Sequence, residues 1–440
     1  MKTKLKTNKG ITLIALVITI IVLLILAGVS IAMLTGENGL LTKASESKQA
    51  TERAGAKEAV QMEVAGSFTN DGIYSKDLAK VNIEKNLNSP QASVTDNGDG
   101  SLDVTYKGVE LTVKSNGEVI YKVILDKTTY TTPYLPAGAT VTNNDLDTGL
   151  TIKDERGNEW VWIEVPKSIY DNGANKPSSS TDYENIEAVM HEYTKTYRNG
   201  TTYTDTWSSN KQHGLTEPQY YELKNKMLES VYKNGGFYIG KYEAGIMEPE
   251  KNRTSYNTPI EETPVIKEGA YPYNYVTNKQ AQELANRLST GGKTSSLMFG
   301  VQWDLVLKHI ETKGGKTVPE LNQNSSSWGN HRDATFNIKK GKYSENGKNF
   351  TPVSGNYSKN VNTMVLLTTG ATERNSTLNI YDLAGNVSEW TLEYTSITYS
   401  PCAYRGGYCN NFGSNYPSST RSNTGTADSY SGVGFRPALY

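Results

Sequence analysis

The sequence predicts an α+β chain in which a long N-terminal helix and a small antiparallel sheet precede a large irregular domain. Three observations predict it. Residues 11–34 form an uncharged apolar run; the segments SLDVTY, VELTV and EVIYKV alternate apolar and polar residues; and from Thr151 onward short apolar stretches are separated by long polar loops. At 440 residues the chain exceeds what one core usually supports, so two folded units plus an anchor are expected.

As a helix, the run 11–34 would span roughly 36 Å at about 1.5 Å per residue, enough to cross a bilayer. Lys2, Lys4, Lys6 and Lys9 precede it and favour the cytoplasmic side, which puts everything after Leu34 outside. The expectation is a single-pass protein of a bacterial cytoplasmic membrane with its C-terminal domain extracellular or on a pilus-like structure. A secretory signal peptide is the alternative, but the run is long for one and no small-x-small cleavage site follows directly. Gly36 and Gly39 should loosen the helix. It resumes over 41–67, where Val60, Val64 and Phe68 recur at helical spacing and need a partner. The meander, split at Lys107-Gly108 and at Ser115-Asn116-Gly117, is the expected one.

The junction Lys9-Gly10-Ile11-Thr12-Leu13 and the run behind it resemble the prepilin leader and N-terminal helix of type IV pilins and pseudopilins. The resemblance implies cleavage after Gly10 by a prepilin peptidase, methylation of the new N-terminus at Ile11, and other pilin-like subunits as partners. Ala15 departs from it, because the family carries a glutamate there that helps subunits dock in a filament. On this reading 1–10 is a leader, 11–34 the transmembrane part of a pilin helix and 35–125 a pilin-like helix and β head. The proline- and threonine-containing stretch 126–150 is a linker. Residues 151–440 are the second domain.

Helices are expected there over 279–288 and 301–310. The pieces GGFYIGKYEAG (235–245), the helix with Trp303, YDLAGNVSEWT (381–391), YRGG (404–407) and VGFRPAL (433–439) follow the order of the formylglycine-generating enzyme, or sulfatase-modifying factor, family, which this domain resembles. The fold class implied is thus α+β: a pilin-type transmembrane helix with a small sheet head, then an irregular C-type lectin fold domain. Arg405 and Arg436 are read as loop braces. The family's two copper-holding cysteines fall at Asn411 and Tyr416, which supply no thiolate. No catalytic residue is assigned and no copper is expected. The resemblance also implies a structural Ca²⁺ held by Asp382, the carbonyls of Gly385 and Val387, and Glu389. A capped turn at Asp382 is the alternative.

Cys402 and Cys409 are the only cysteines. In an extended chain they would lie roughly 23 Å apart, against about 4.4–6.8 Å for a disulfide, so a bridge needs a sharp turn. Free thiols or an intermolecular bond are the alternatives. His191, His213, His309 and His331 are not spaced as metal ligands with one another or with cysteine, and each reads as a surface or loop residue. Gly291-Gly292-Lys293-Thr294 mimics the tail of a phosphate loop but lacks its earlier glycine, where Arg287 stands. A net charge of -1 leaves no basic surplus for nucleic acid.

The tract YCNNFGSNYPSSTRSNTGTADSYSGV is too polar to build a core. It is either a solvated loop or a binding face in which tyrosine and asparagine combine apolar area with adaptable hydrogen bonds. It resembles the variable region of diversity-generating retroelement target proteins. The candidate ligand-facing residues are Tyr408, Asn410, Phe412, Asn415, Tyr416, Asn423, Asp428 and Tyr430. The function read from the sequence is a membrane-anchored or pilus-associated surface protein displaying a non-catalytic domain for a protein or glycan ligand. The alternatives are a formylglycine-generating-type enzyme with an altered active site, and a minor pseudopilin of a type II secretion or type IV pilus system.

Overall fold

The computed structural model describes residues 40–121, 133–248 and 261–440, apart from positions 70, 99, 172 and 199. It divides into two compact units after Lys122.

In the first unit α1 (Leu40–Ala65) and α2 (Lys76–Asn86) precede a four-stranded antiparallel meander of β1 (Ser93–Asp96), β2 (Leu102–Tyr106), β3 (Val109–Val113) and β4 (Val119–Tyr121). Ala56, Val60 and Val64 recur every four residues, so they share one face of α1, and all three are buried. They pack with Leu102, Val104, Leu111 and Val113, the alternate residues of β2 and β3. Ser75 caps α2 by accepting the Leu78 N–H, and Ala79 and Ile83 carry α2 into the same core. Phe68 departs from the expected stripe. The helix has ended before it, and its half-exposed ring leans on Tyr74 at 5.7 Å.

In the second unit β5 (Thr140–Asn143), β6 (Thr151–Lys153) and β7 (Glu159–Glu164) lead into α3 (Tyr183–Tyr193), α4 (Glu217–Asn234) and β8 (Gly236–Gly240). Then follow α5 (Asn278–Asn286), β9 (Ser295–Leu297) and α6 (Gly300–Lys313), and later β10 (Ser388–Tyr394), β11 (Cys402–Arg405), β12 (Arg421–Thr424), β13 (Val433–Gly434) and β14 (Pro437–Leu439). One six-stranded sheet runs β9-β14-β8-β7-β6-β5, and a four-stranded sheet runs β12-β11-β10-β13. Its β10–β13 pair is parallel. Val161, Ile163, Phe237 and Ile239 from the first sheet join Trp303, Leu307 and Ile310 of α6 and Trp390 and Leu392 of β10 in one core. Burying such a side chain contributes about 1.5–3 kcal/mol.

The expected helices 279–288 and 301–310 correspond to α5 and α6, and the RGG and GFR segments flank the four-stranded sheet. The stretch 126–150 is not an extended spacer throughout, since Thr140–Asn143 is the edge strand of the six-stranded sheet.

The expected fold class needs correction. The chain is mixed α and β with several small sheets, and among the described residues no helix is long and apolar enough to cross a membrane. α1 is amphipathic and carries charges along its length, so it cannot serve as a span. The pilin-type transmembrane helix, the prepilin assignment and the single-pass membrane localisation are therefore withdrawn. The run 11–34 and the processing residues Gly10 and Ile11 lie outside the described residues.

Candidate functional site

The ends of β10, β11 and β12 are locked by a buried set of charges. Arg405 on β11 donates to Asp304 of α6 at 2.8 Å and to Glu393 of β10 at 3.1 Å. Arg421 on β12 reaches the same two carboxylates at 2.6 and 2.9 Å, and Arg198 adds 2.8 Å to Asp304. Asp205 completes the balance by accepting the first N–H groups of α6, from Gly300 at 2.6 Å and Val301 at 2.9 Å. The surrounding guanidinium groups outweigh burial and hold Glu393 down at about 2. Arg436 is the second brace, pairing with Glu389 at 2.8 Å while donating to the carbonyls of Gly240 and Tyr381.

On this frame the chain leaves β11 through Gly406 and Gly407, both left-handed at φ +87° and +70°. A side chain at Gly407 would put its Cβ 2.7 Å from the Tyr416 carbonyl oxygen, so the turn requires glycine. The loop beyond is held in part by its main-chain atoms and in part by the side chains of Asn411, Ser418 and Ser419. The Gly413 N–H donates to Asp333 at 2.9 Å, the Arg332 N–H to the Asn411 carbonyl at 2.7 Å, and the Cys409 N–H to the Asn386 carbonyl at 3.0 Å.

This arrangement separates the eight candidate residues into two groups. Phe412, Tyr416 and Tyr430 are 37%, 39% and 47% exposed, and Asn415 beside them is exposed. Tyr408 is half-buried over Gly432, with Asn410 reaching its hydroxyl at 3.4 Å. Tyr404, stacked edge-on against Trp390 at 5.5 Å, sits among these rings. Burial and the neighbouring phenols of Tyr430, Tyr416 and Tyr408 push its hydroxyl above the usual tyrosine range. Asn423 and Asp428 instead serve the fold. The Asn423 amide donates to the Ser400 carbonyl at 2.8 Å and accepts from Tyr203 at 2.8 Å. Asp428 accepts the Thr424 hydroxyl and the Gly425 N–H at 2.8 Å, contacts that together with the Tyr430 hydroxyl hold its carboxyl below the usual range.

Sequence reasoning missed three contributors to this face: Tyr399, which is 83% exposed; Tyr203, behind Asn423; and Arg332, whose guanidinium lies 5.6 Å from the Phe412 ring centroid. Tyr203 and Arg332 come from far upstream, and no spacing in the sequence announces them. Tyr399 could have been flagged as an aromatic in the polar stretch just before β11.

Asn411 and Tyr416 stand at the positions where the resembled enzymes carry their thiols, so the loop offers no sulfur ligand there. Cys402 and Cys409 are free and buried, and burial pushes both thiols up to about 12. The residues suggested for calcium already have protein partners. Both Glu389 oxygens accept from Arg436, and Asp382, left-handed at φ 58°, accepts from Gly370 N–H at 2.9 Å and Asn375 at 3.3 Å. In these contacts Asp382 is the acceptor of a capped turn, and burial raises the Asp382 and Glu389 carboxyls to about 6 and about 7. Glu187, His191 and Asp205 do bring ligand atoms within 4.8 Å of one another. Lys224 holds Glu187 at 2.6 Å, however, and Asp205 is committed to α6, so the group is an ion-paired helix cap. The expectation that each histidine is a surface or loop residue is corrected for His213 and His309, which are buried in helices, whereas His331 is buried but lies in a loop.

No family model and no curated protein matches the chain, so the pilin and formylglycine-generating-enzyme resemblances rest on the sequence motifs alone. Among solved structures the chain is similar to one titled "Crystal Structure of CarF", at 17% identity and a TM-score of 0.27 over 46% of this chain and 85% of that one. It is similar also to Treponema denticola variable protein 1, at 15% identity and a TM-score of 0.26 over 46% of this chain and 84% of that one.

Proposed function

We propose that the second unit is a non-catalytic ligand-binding domain whose recognition face is the surface of the 408–432 tract, and that its ligand is another protein. One observation carries this reading. Phe412, Asn415 and Tyr416 are exposed on a loop that backbone contacts and buried arginines help to hold, so the fold makes little use of their side chains, and Tyr430 is exposed beside them with its hydroxyl on Thr424. Rigid tyrosine and phenylalanine faces supply contact area at low entropic cost, and asparagine supplies adaptable hydrogen bonds. The Arg332 guanidinium beside Phe412 adds a cation of the kind enriched at the centre of protein interfaces. Diversification by a retroelement would act on this same surface.

The test compares the wild-type chain with a Phe412→Ala, Asn415→Ala, Tyr416→Ala variant on panels of purified extracellular proteins and of glycans. Selective protein binding that the variant loses at unchanged Tm supports the reading. Binding confined to glycans, or retained by the variant, overturns it. Turnover of a cysteine-containing peptide by the copper-loaded chain would overturn the non-catalytic part. A near-identical repeat of the coding stretch for this tract beside a reverse transcriptase gene would establish diversification.

A further inference from the structure

His331 lies beneath the loop that leaves β11. A Cβ at Gly407 would stand 3.3 Å from the imidazole Cε1, and one at Gly413 would stand 3.0 Å from its Cδ2, so the loop crosses the ring twice on bare backbone. The ring is wholly buried, and neither Nδ1 nor Nε2 has a hydrogen-bond partner. Such a seat suits a neutral imidazole. A protonated one carries two N–H donors and a charge, which a sealed site without acceptors does not tolerate.

The carboxylate that faces the ring is Asp333, and it already accepts the Gly413 N–H at 2.9 Å. Burial works against its charge, but the hydrogen bonds it accepts, from Gly413 first, hold it below the usual range. It therefore stays ionised while an imidazole titrates. The cations facing the ring are Lys359, which donates to the His331 and Ala334 carbonyls at 2.6 and 2.8 Å, and Arg374, which donates to the Gly329 carbonyl at 3.0 Å. The adjacent Arg332 is turned to the Phe412 ring. Neither 407–416 nor 383–387, which pairs with Asn330 through Gly385, contains an acidic or basic side chain. The anion open to a protonated His331 is thus the one that anchors Gly413. The imidazolium either draws Asp333 off Gly413 or turns out toward water, and both movements displace the loop.

We propose that His331 is an acid-sensitive catch on the recognition face: its protonation frees Gly413 from Asp333, opens the 407–416 loop and releases a protein bound there. The release rests on the binding role proposed for the tract, whereas the opening does not.

Hydrogen–deuterium exchange of the full chain at stepped pH, read by mass spectrometry and corrected for intrinsic rates, tests the opening. Burial holds His331 at about 4, against about 6.5 once exposed, so falling pH favours the open loop. The peptide covering 407–416 should lose about twentyfold in protection between pH 7 and 5 while α6 stays protected. His331→Gln should remove that dependence, and Asp333→Asn should leave the loop poorly protected already at pH 7. Equal loop protection at pH 7 and 5, or loop exchange only in step with α6, overturns the proposal, and both need only the wild-type chain. The same pH response in His331→Gln, or wild-type protection at pH 7 in Asp333→Asn, also overturns it. A protein captured from the purified panel at pH 7 should elute from the wild type at pH 5 and stay on His331→Gln; retention by the wild type overturns the release. The exchange measurement contains no ligand, so the catch can fail while the binding role stands, and the reverse.

Discussion

Arg405 and Asp304 meet at 2.8 Å with neither side chain exposed, which ties the strand entering the polar tract to the N-terminal half of the core helix α6. Glu393 and Arg421 close the ring around them. Removing one partner leaves an uncompensated buried charge. Asp304→Ala and Arg405→Ala should each cost about 3–5 kcal/mol in urea denaturation. A double-mutant cycle should show strong coupling, because both single changes strand the same network.

The candidate tract should divide in a stability assay as it divides in the structure. Alanine at Phe412, Asn415 or Tyr416 should change unfolding free energy by no more than about 0.5 kcal/mol. Asn423→Ala strands the Tyr203 hydroxyl and the Ser400 carbonyl and should cost about 1–3 kcal/mol. Thermal melts of the single variants check both outcomes.

Acid should act through the buried imidazoles. Burial holds His331 at about 4, against about 6.5 in an unfolded chain. The folded value is depressed, so the unfolded state binds more protons between the two. The stability His331 contributes is complete above pH 6.5 and is lost as pH falls toward 4. Between those limits the fall in unfolding free energy should be smaller in His331→Gln than in the wild type, by up to about 3 kcal/mol. Urea titrations at stepped pH give the difference, in which groups common to both proteins cancel.

The two cysteines should be silent in the native protein. Buried and pushed up to about 12, Cys402 and Cys409 should resist iodoacetamide at pH 8 and alkylate together once the chain is denatured. Mass spectrometry of both samples reads this directly.

The local signals legible in the sequence were those with a short period. The meander of the first unit, the Val60 and Val64 face, and the helices α5 and α6 are set by alternation or by helical spacing and formed where expected. The helix α4 was missed although its signals were present: Thr216 and Gln219 form a capping box, and Tyr220, Leu223, Met227 and Val231 keep the apolar stripe. The many tyrosines and lysines around that stripe blurred it. Asp205 could not be read as the cap of α6, because it lies 95 residues before the N–H group it holds. The tract was recognisable from its composition. Its division into exposed and structural residues was not, because the partners of Asn423 lie at Tyr203 and Ser400, and composition carries no record of tertiary neighbours.

The loop after Gly407 is threaded through contacts made by peptide groups: Gly413 on Asp333, Arg332 on Asn411, Cys409 on Asn386. Peptide groups are common to all residues, so at these three points the path of the chain does not depend on which side chain the loop bears there. The face is in effect a mount with interchangeable fittings. Its chemistry should be open to rewriting at Phe412, Asn415 and Tyr416 while the domain beneath goes on folding as before.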